Sequence, residues 1–124
     1  MATQKSTTPK PALKLRMRVN VGEQIAVGPG KIQLLEALAE QGSITAAAKS
    51  LDMSYRRAWL LIDELNRSLA EPAVASATGG QRGGGSELTP AGRRLIELYR
   101  GIEAQALKAC APDIRKLLKL LAVP

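Results

Sequence analysis

The chain has 124 residues, 45% hydrophobic and 23% charged, with 18 basic against 11 acidic side chains and a formal charge of +7. That is enough material for one domain with a single core. With no histidine and one cysteine, Cys110, a zinc site of ordinary ligands, a Ser-His-Asp or Cys-His catalytic arrangement and an internal disulfide framework are excluded, and no metal or cofactor is expected. No apolar run approaches the roughly 18 residues of a membrane span, and the polar start Met1–Pro11 lacks the apolar stretch of a signal peptide, so a reducing, cytoplasmic setting is expected.

Residues 1–11 are rich in Thr, Ser, Lys and Pro and read as a disordered tail. Most of the basic excess lies nearby: Lys5, Lys10, Lys14, Arg16, Arg18 and Lys31 face only Glu23 within the first 31 residues. Such a tail serves either as a phosphate-contacting arm or as a solubilising end. Leu13, Leu15, Met17, Val19 and Val21 then alternate with polar residues, which predicts a half-buried strand over 13–21. Gly22-Glu23 suits a turn, Gln24 to Val27 a short return strand, and Gly28-Pro29-Gly30 a break.

From Lys31 the spacing becomes helical. Ile32, Leu35 and Leu38 predict a helix closed by Gly42. Ile44, Ala47, Ala48 and Leu51 predict a second helix with Ser43 as N-cap. After a short link at Asp52-Met53, Ser54 caps a third helix with Tyr55, Ala58, Trp59, Ile62, Leu65 and Leu69 along its apolar stripe. Ala73–Thr78 and Glu87-Leu88 form a hairpin around Gly-Gly-Gln-Arg-Gly-Gly-Gly-Ser at 79–86. Thr89-Pro90 starts a long helix to about residue 110, and Pro112 separates it from a last amphipathic helix over 113–122.

This order predicts a mainly α fold with a small β-wing, a winged helix-turn-helix with a long C-terminal helix. The expected division is a tail at 1–11, a DNA-binding domain at 12–110 and a C-terminal helix at 111–124 that serves dimerisation. In a helix-turn-helix the second helix enters the major groove, N-terminal residues nearest the bases. Ala46-Ala47-Ala48 would let the two helices approach closely.

Arg56 and Arg57 follow the Ser54 cap directly. Positive charge there opposes the helix dipole at about 0.3–1 kcal/mol per site. Two readings fit, a solvated helix face and contact with a polyanion. The second explains the cost, because arginine can bind guanine O6 and N7 bidentately and helix N–H groups can hold phosphate. The hairpin lacks the lysine of a nucleotide-binding loop; a wing tip carrying Arg82 to DNA fits its glycines better. Ser43, Thr45, Ser54 and Tyr55 are further candidates for phosphate contact. Tyr55, Trp59 and Tyr99 read as core residues, and Cys110 as a buried, inert thiol. Asp63 and Glu64 diverge around the helix and read as a solvated face or as partners of Arg67.

The run Gly42-Ser43-Ile44-Thr45-Ala46-Ala47-Ala48, followed by Leu51 and Met53-Ser54, resembles the helix-turn-helix of LysR-type regulators and of the molybdate-responsive ModE regulators. The continuation Ser54-Tyr55-Arg56-Arg57-Ala58-Trp59, with Ala77-Thr78-Gly79-Gly80, the glycines at 83–85 and Leu88-Thr89-Pro90-Ala91-Gly92, resembles the ModE family specifically. The similarity extends over about residues 13–109. It implies a winged-helix DNA-binding domain that dimerises on a palindromic operator in double-stranded DNA and governs molybdate-uptake genes. Family members carry oxyanion-binding modules after this domain. The chain given ends at Pro124, so the resemblance predicts no family-type molybdate site within it. Two alternatives come from other classes: an oxyanion sensor using Lys14, Arg16 and Arg18, and a protein-interaction module that retains the fold. No activated nucleophile or acid–base pair points to an enzyme.

Overall fold

The computed structural model describes residues 9–77 and 85–122. Its elements are β1 (Val19–Val21), β2 (Gln24–Val27), α1 (Pro29–Gln41), α2 (Ile44–Ser50), α3 (Tyr55–Ser68), β3 (Val74–Ala77), β4 (Gly85–Leu88), α4 (Pro90–Ala109) and α5 (Ala111–Leu118). The chain divides into two compact units, residues 16–101 and residues 1–15 with 102–124.

The larger unit holds the core. Ile32, Leu34, Leu35 and Leu38 of α1 are fully buried, as are Ala47 and Ala48 of α2 and Ala58 and Leu65 of α3. Full burial of each large aliphatic side chain stabilises by about 1.5–3 kcal/mol. α1 packs on α2 and α2 on α3, and α1 also meets β4. The helix boundaries follow local chemistry. Gly42, at φ 85°, closes α1 and donates its N–H to the Leu38 carbonyl, a left-handed cap that glycine adopts without Cβ strain.

Two antiparallel hairpins flank these helices. β1 pairs with β2 through Val19↔Val27, Asn20↔Ile25 and Val21↔Gln24, with Gly22 at φ 63° in the turn. β3 pairs with β4 in register from Val74↔Leu88 to Ala77↔Gly85. The expected strand over 13–21 is shorter: only 19–21 is strand. Burial still alternates from Pro11 through Met17, but β2 offers four residues, and a ladder extends only as far as its partner. The expected break at Gly28-Pro29-Gly30 is instead a helix start. Pro29 stands in the first turn of α1, where its missing N–H costs nothing.

The base of the second hairpin is fixed by side-chain bonds. Asn66, late in α3, accepts from the Ala73 N–H at 2.8 Å and donates to the Val74 carbonyl at 3.0 Å. The Thr89 N–H donates to the Ala73 carbonyl at 2.9 Å. The Thr89 hydroxyl donates to the Pro72 carbonyl at 2.6 Å and accepts from the Gly92 N–H at 3.1 Å, which caps α4. On α4, Arg100 makes a two-pronged ion pair with Glu36 of α1 at 2.7 and 2.8 Å. Tyr99 is buried as expected, and its hydroxyl donates to the Met17 carbonyl at 2.9 Å.

In the smaller unit, α5 starts at Ala111 and ends at Leu118, earlier at both ends than the expected 113–122, with Pro112 inside its first turn. It buries no residue. Cys110, expected to be buried, is exposed. It stands at the N-cap position of a helix that buries none of its residues, with no side-chain cap bond.

A Cβ at Gly92 would collide with the backbone carbonyl of Ala73, whereas one at Gly101 would meet open space. Both glycines lie in α4. Helix propensity alone makes alanine better at each by about 1 kcal/mol. Gly101→Ala should therefore raise the melting temperature. Gly92→Ala should lower stability by about 1–3 kcal/mol, because the collision forces overpacking; a more stable Gly92→Ala protein would contradict the described contact.

The Arg100 guanidinium, through its hydrogen bonds and then its charge, holds the Glu36 carboxyl below the ordinary value of 4.5, with partial burial opposing. A depressed folded-state value gives stability that is present above the unfolded value and lost as pH falls through the folded one. Glu36→Gln should thus be less stable than the unaltered chain at pH 7, and the difference should shrink as pH falls below 4.5 and vanish once it has passed through the lower folded value. Chemical denaturation at several pH values measures it.

Candidate nucleic-acid interface

Two short helices and a tight turn form the centre of the candidate interface. Ser43 and Ser54 are the N-caps of α2 and α3, as expected. Ser43 Oγ accepts from the Ala46 N–H and Ser54 Oγ from the Arg57 N–H, both at 3.1 Å. Each cap is worth about 1 kcal/mol. Ala47 and Ala48 of α2 and Ala58 of α3 are all fully buried, and α2 packs on α3; small side chains let helix backbones come close. Between the helices, Met53 N–H donates to Ala48 O at 3.0 Å and Asp52 N–H to Lys49 O at 3.1 Å. This paired closure is the Schellman arrangement, and Asp52 takes its left-handed position at φ 57°.

The turn presents the start of α3 to solvent. Arg56 and Arg57 are exposed, and α3 has no acidic residue in its first turn. Among the described residues neither arginine has an ion-pair partner, whereas Lys31, Arg67, Arg94 and Arg100 each pair with a carboxylate. Asp63 pairs with Arg67 at 2.9 Å, one of the two expected readings. Ser54, Arg56 and Arg57 line a shallow depression of about 290 Å³ with Leu60, Leu61 and Glu64. Thr45 is exposed on α2 and Ser43 is half-buried. Arg82 lies outside the described residues.

Tyr55 and Trp59 do not join the core. They are 52% and 44% exposed. The apolar stripe of α3 is wider than the arc it buries, which is defined by Ala58, Ile62 and Leu65. Trp59 sits about 100° around the helix from Ala58, beyond that arc. It opens onto a groove of about 140 Å³ shared with Ile62, Asn66, Val74, Ser76 and Ser86, between α3 and the base of the wing.

Lys31 carries no signal in the sequence but is buried. Its ammonium donates to the carbonyls of Ile25 at 2.8 Å and Ala26 at 3.4 Å and reaches Glu64 at 3.4 Å. It thereby ties β2 to the outer flank of α3. Lys14, Arg16 and Arg18 are all exposed, so this stretch offers solvent-facing charges rather than an enclosed anion site. Among the described residues no group of three or more His, Cys, Asp or Glu is placed to hold a metal ion. No helix among them is long and apolar enough to cross a membrane.

Residues 30–93 match the bacterial regulatory helix-turn-helix protein family of LysR type. The chain is 41% identical over 90 residues to the molybdenum transport protein ModE of Azotobacter vinelandii, covering 73% of this chain and 33% of that protein. It is 45% identical over 82 residues to the molybdenum-pterin-binding protein MopB of Rhodobacter capsulatus, covering 66% and 30%. It is 38% identical over 86 residues to the DNA-binding transcriptional dual regulator ModE of Escherichia coli K12, covering 69% and 33%. The chain thus spans about a third of the length of these relatives. Among solved structures, full-length CbnR complexed with its target DNA superposes with a TM-score of 0.51 at 28% identity, over 70% of this chain and 28% of that one.

The turn at Asp52 gives a test of the helix-turn-helix geometry itself. A left-handed conformation costs an ordinary L residue about 1–2 kcal/mol, less for Asp and nothing for Gly. Asp52→Val should lose about 1–2 kcal/mol in denaturant unfolding, and Asp52→Gly should be at least as stable as the unaltered chain. Equal stability of the Val and Gly variants would rule out the left-handed turn.

Proposed function

Because the chain belongs to the bacterial regulatory helix-turn-helix family of LysR type, we propose that it is a sequence-specific, DNA-binding transcriptional regulator. The observation that carries this reading is the pair Arg56 and Arg57, unpaired and exposed at the capped start of α3. A polyanion bound at this helix end would offset the two opposed cations. The names of the ModE and MopB relatives support a link to molybdenum. The protein acts in the cytoplasm and without catalysis.

In this reading α3 lies in the major groove. Arg56 and Arg57 contact base edges or the flanking phosphates. Ser43, Thr45, Ser54 and Tyr55 contact phosphates, and Arg82 serves the wing. The protein works as a homodimer on a palindromic operator, with half-sites roughly 34–36 Å apart. Exposed apolar side chains on α4 and in the C-terminal segment support self-association: Leu98, Ile102 and Leu107, then Leu117, Leu120 and Leu121.

Selection of fragments from genomic DNA by the purified chain tests the proposal. Recovery of a palindromic site bound at least ~10³-fold above random DNA is the expected result. Arg56→Ala with Arg57→Ala should keep the fold, by circular dichroism, and lose that preference. Retained preference in the folded double variant would overturn the assignment of these residues, and equal binding to all fragments would overturn the function.

A further inference from the structure

The exposed aromatic pair on α3 has no role in the fold described above, and it shares the start of that helix with the two unpaired arginines. Tyr55 and Trp59 stand one helical turn apart on α3, where residues four apart are neighbours, and Trp59 opens toward the base of the wing. Leaving a ring as large as Trp59 44% exposed forgoes a substantial hydrophobic gain, so the surface is suited to a partner that covers it. Arg56 lies about 60° around the helix from Trp59, and its exposed charge makes a polyanion the favoured partner. Duplex DNA fits, and its major groove offers one apolar group to such a ring, the thymine C5-methyl. We propose that Trp59, flanked by Tyr55, recognises a thymine methyl in the major groove and so determines part of the site preference. This inference deepens the proposed function and rests on it.

The thymine methyl can be removed without altering any hydrogen-bonding group, by replacing thymine with 2′-deoxyuridine. The probe is the tightest duplex recovered from a randomised library by the full chain, resynthesised with one such replacement at a time. At one or two thymines the unaltered protein should lose about fourfold in affinity, the value of one buried methyl group. Trp59→Ala should bind the thymine duplex more weakly and lose the penalty at those positions, while penalties from altered guanines remain. Trp59→Gln, which keeps a long side chain near the wing base, should behave in the same way if the alanine variant is poorly folded. A merely structural role for Trp59 would weaken binding to both duplexes equally and leave the methyl penalty intact, which would overturn the proposal. Site-specific binding with no methyl penalty anywhere would also overturn it while leaving the proposed function standing. Absence of any DNA preference would remove both.

Discussion

The backbone of Ala73 is the point on which the larger unit depends. This fully buried residue lies outside both helices and ahead of the β3 ladder, so its N–H and C=O cannot be satisfied by regular secondary structure. Asn66 supplies the acceptor from α3, and the Thr89 N–H supplies the donor from the start of α4. Gly92 then lies directly on the same carbonyl. Three elements therefore meet at one peptide unit. The end of α3, the root of the wing and the first turn of α4 hold a common geometry because none can move without stranding a buried polar group.

The interface is built on this base by two kinds of economy. Small residues bring α2 and α3 together, and hydroxyl caps satisfy the helix starts locally. Charge at the helix ends varies from element to element. α5 follows the dipole, with Asp113 in its first turn and Arg115 and Lys116 in its last. α3 does the reverse at its start. Four other cations, Lys31, Arg67, Arg94 and Arg100, pair with Glu64, Asp63, Glu97 and Glu36 respectively. The start of α4 is basic as well, with Arg93 and Arg94, so what distinguishes Arg56 and Arg57 is their place at the start of the second helix of the helix-turn-helix.

Much of this was legible in the sequence because it depends on near neighbours. Ser43, Ser54 and Thr89 identify themselves as caps by type and by the apolar period that follows, and Gly42 marks a helix end. Properties set by distant residues were not legible. The length of β1 depends on its partner, and the apolar alternation over 13–21 cannot reveal that β2 is short. Tyr55 and Trp59 share a stripe with Ala58 and Ile62, but where the buried arc ends depends on what packs against it. The exposure of Cys110 depends in the same way on what packs at the junction of α4 and α5, where α5 buries no residue. Lys31 looks like a surface lysine until the carbonyls of Ile25 and Ala26 converge on its ammonium.

On the proposed function, the same geometry divides the work of recognition. Phosphate contacts give affinity and orientation but carry little sequence information. The capped helix starts, with Ser43 and Ser54 near solvent, suit that role. Sequence must then be read by groups projecting past the backbone, and α3 offers two chemistries at adjoining positions, a guanidinium fork and an aromatic face. They recognise different features of the groove, the acceptor edge of guanine and the methyl of thymine. Both depend on the pose of α3, which is held by Asn66 at one end and by the Asp52 turn at the other. Lys31 braces the flank between them through Glu64. Placing the reading groups on a helix fixed at three points limits the rearrangement needed on binding, and that preorganisation lowers the entropic cost of recognising one sequence among many.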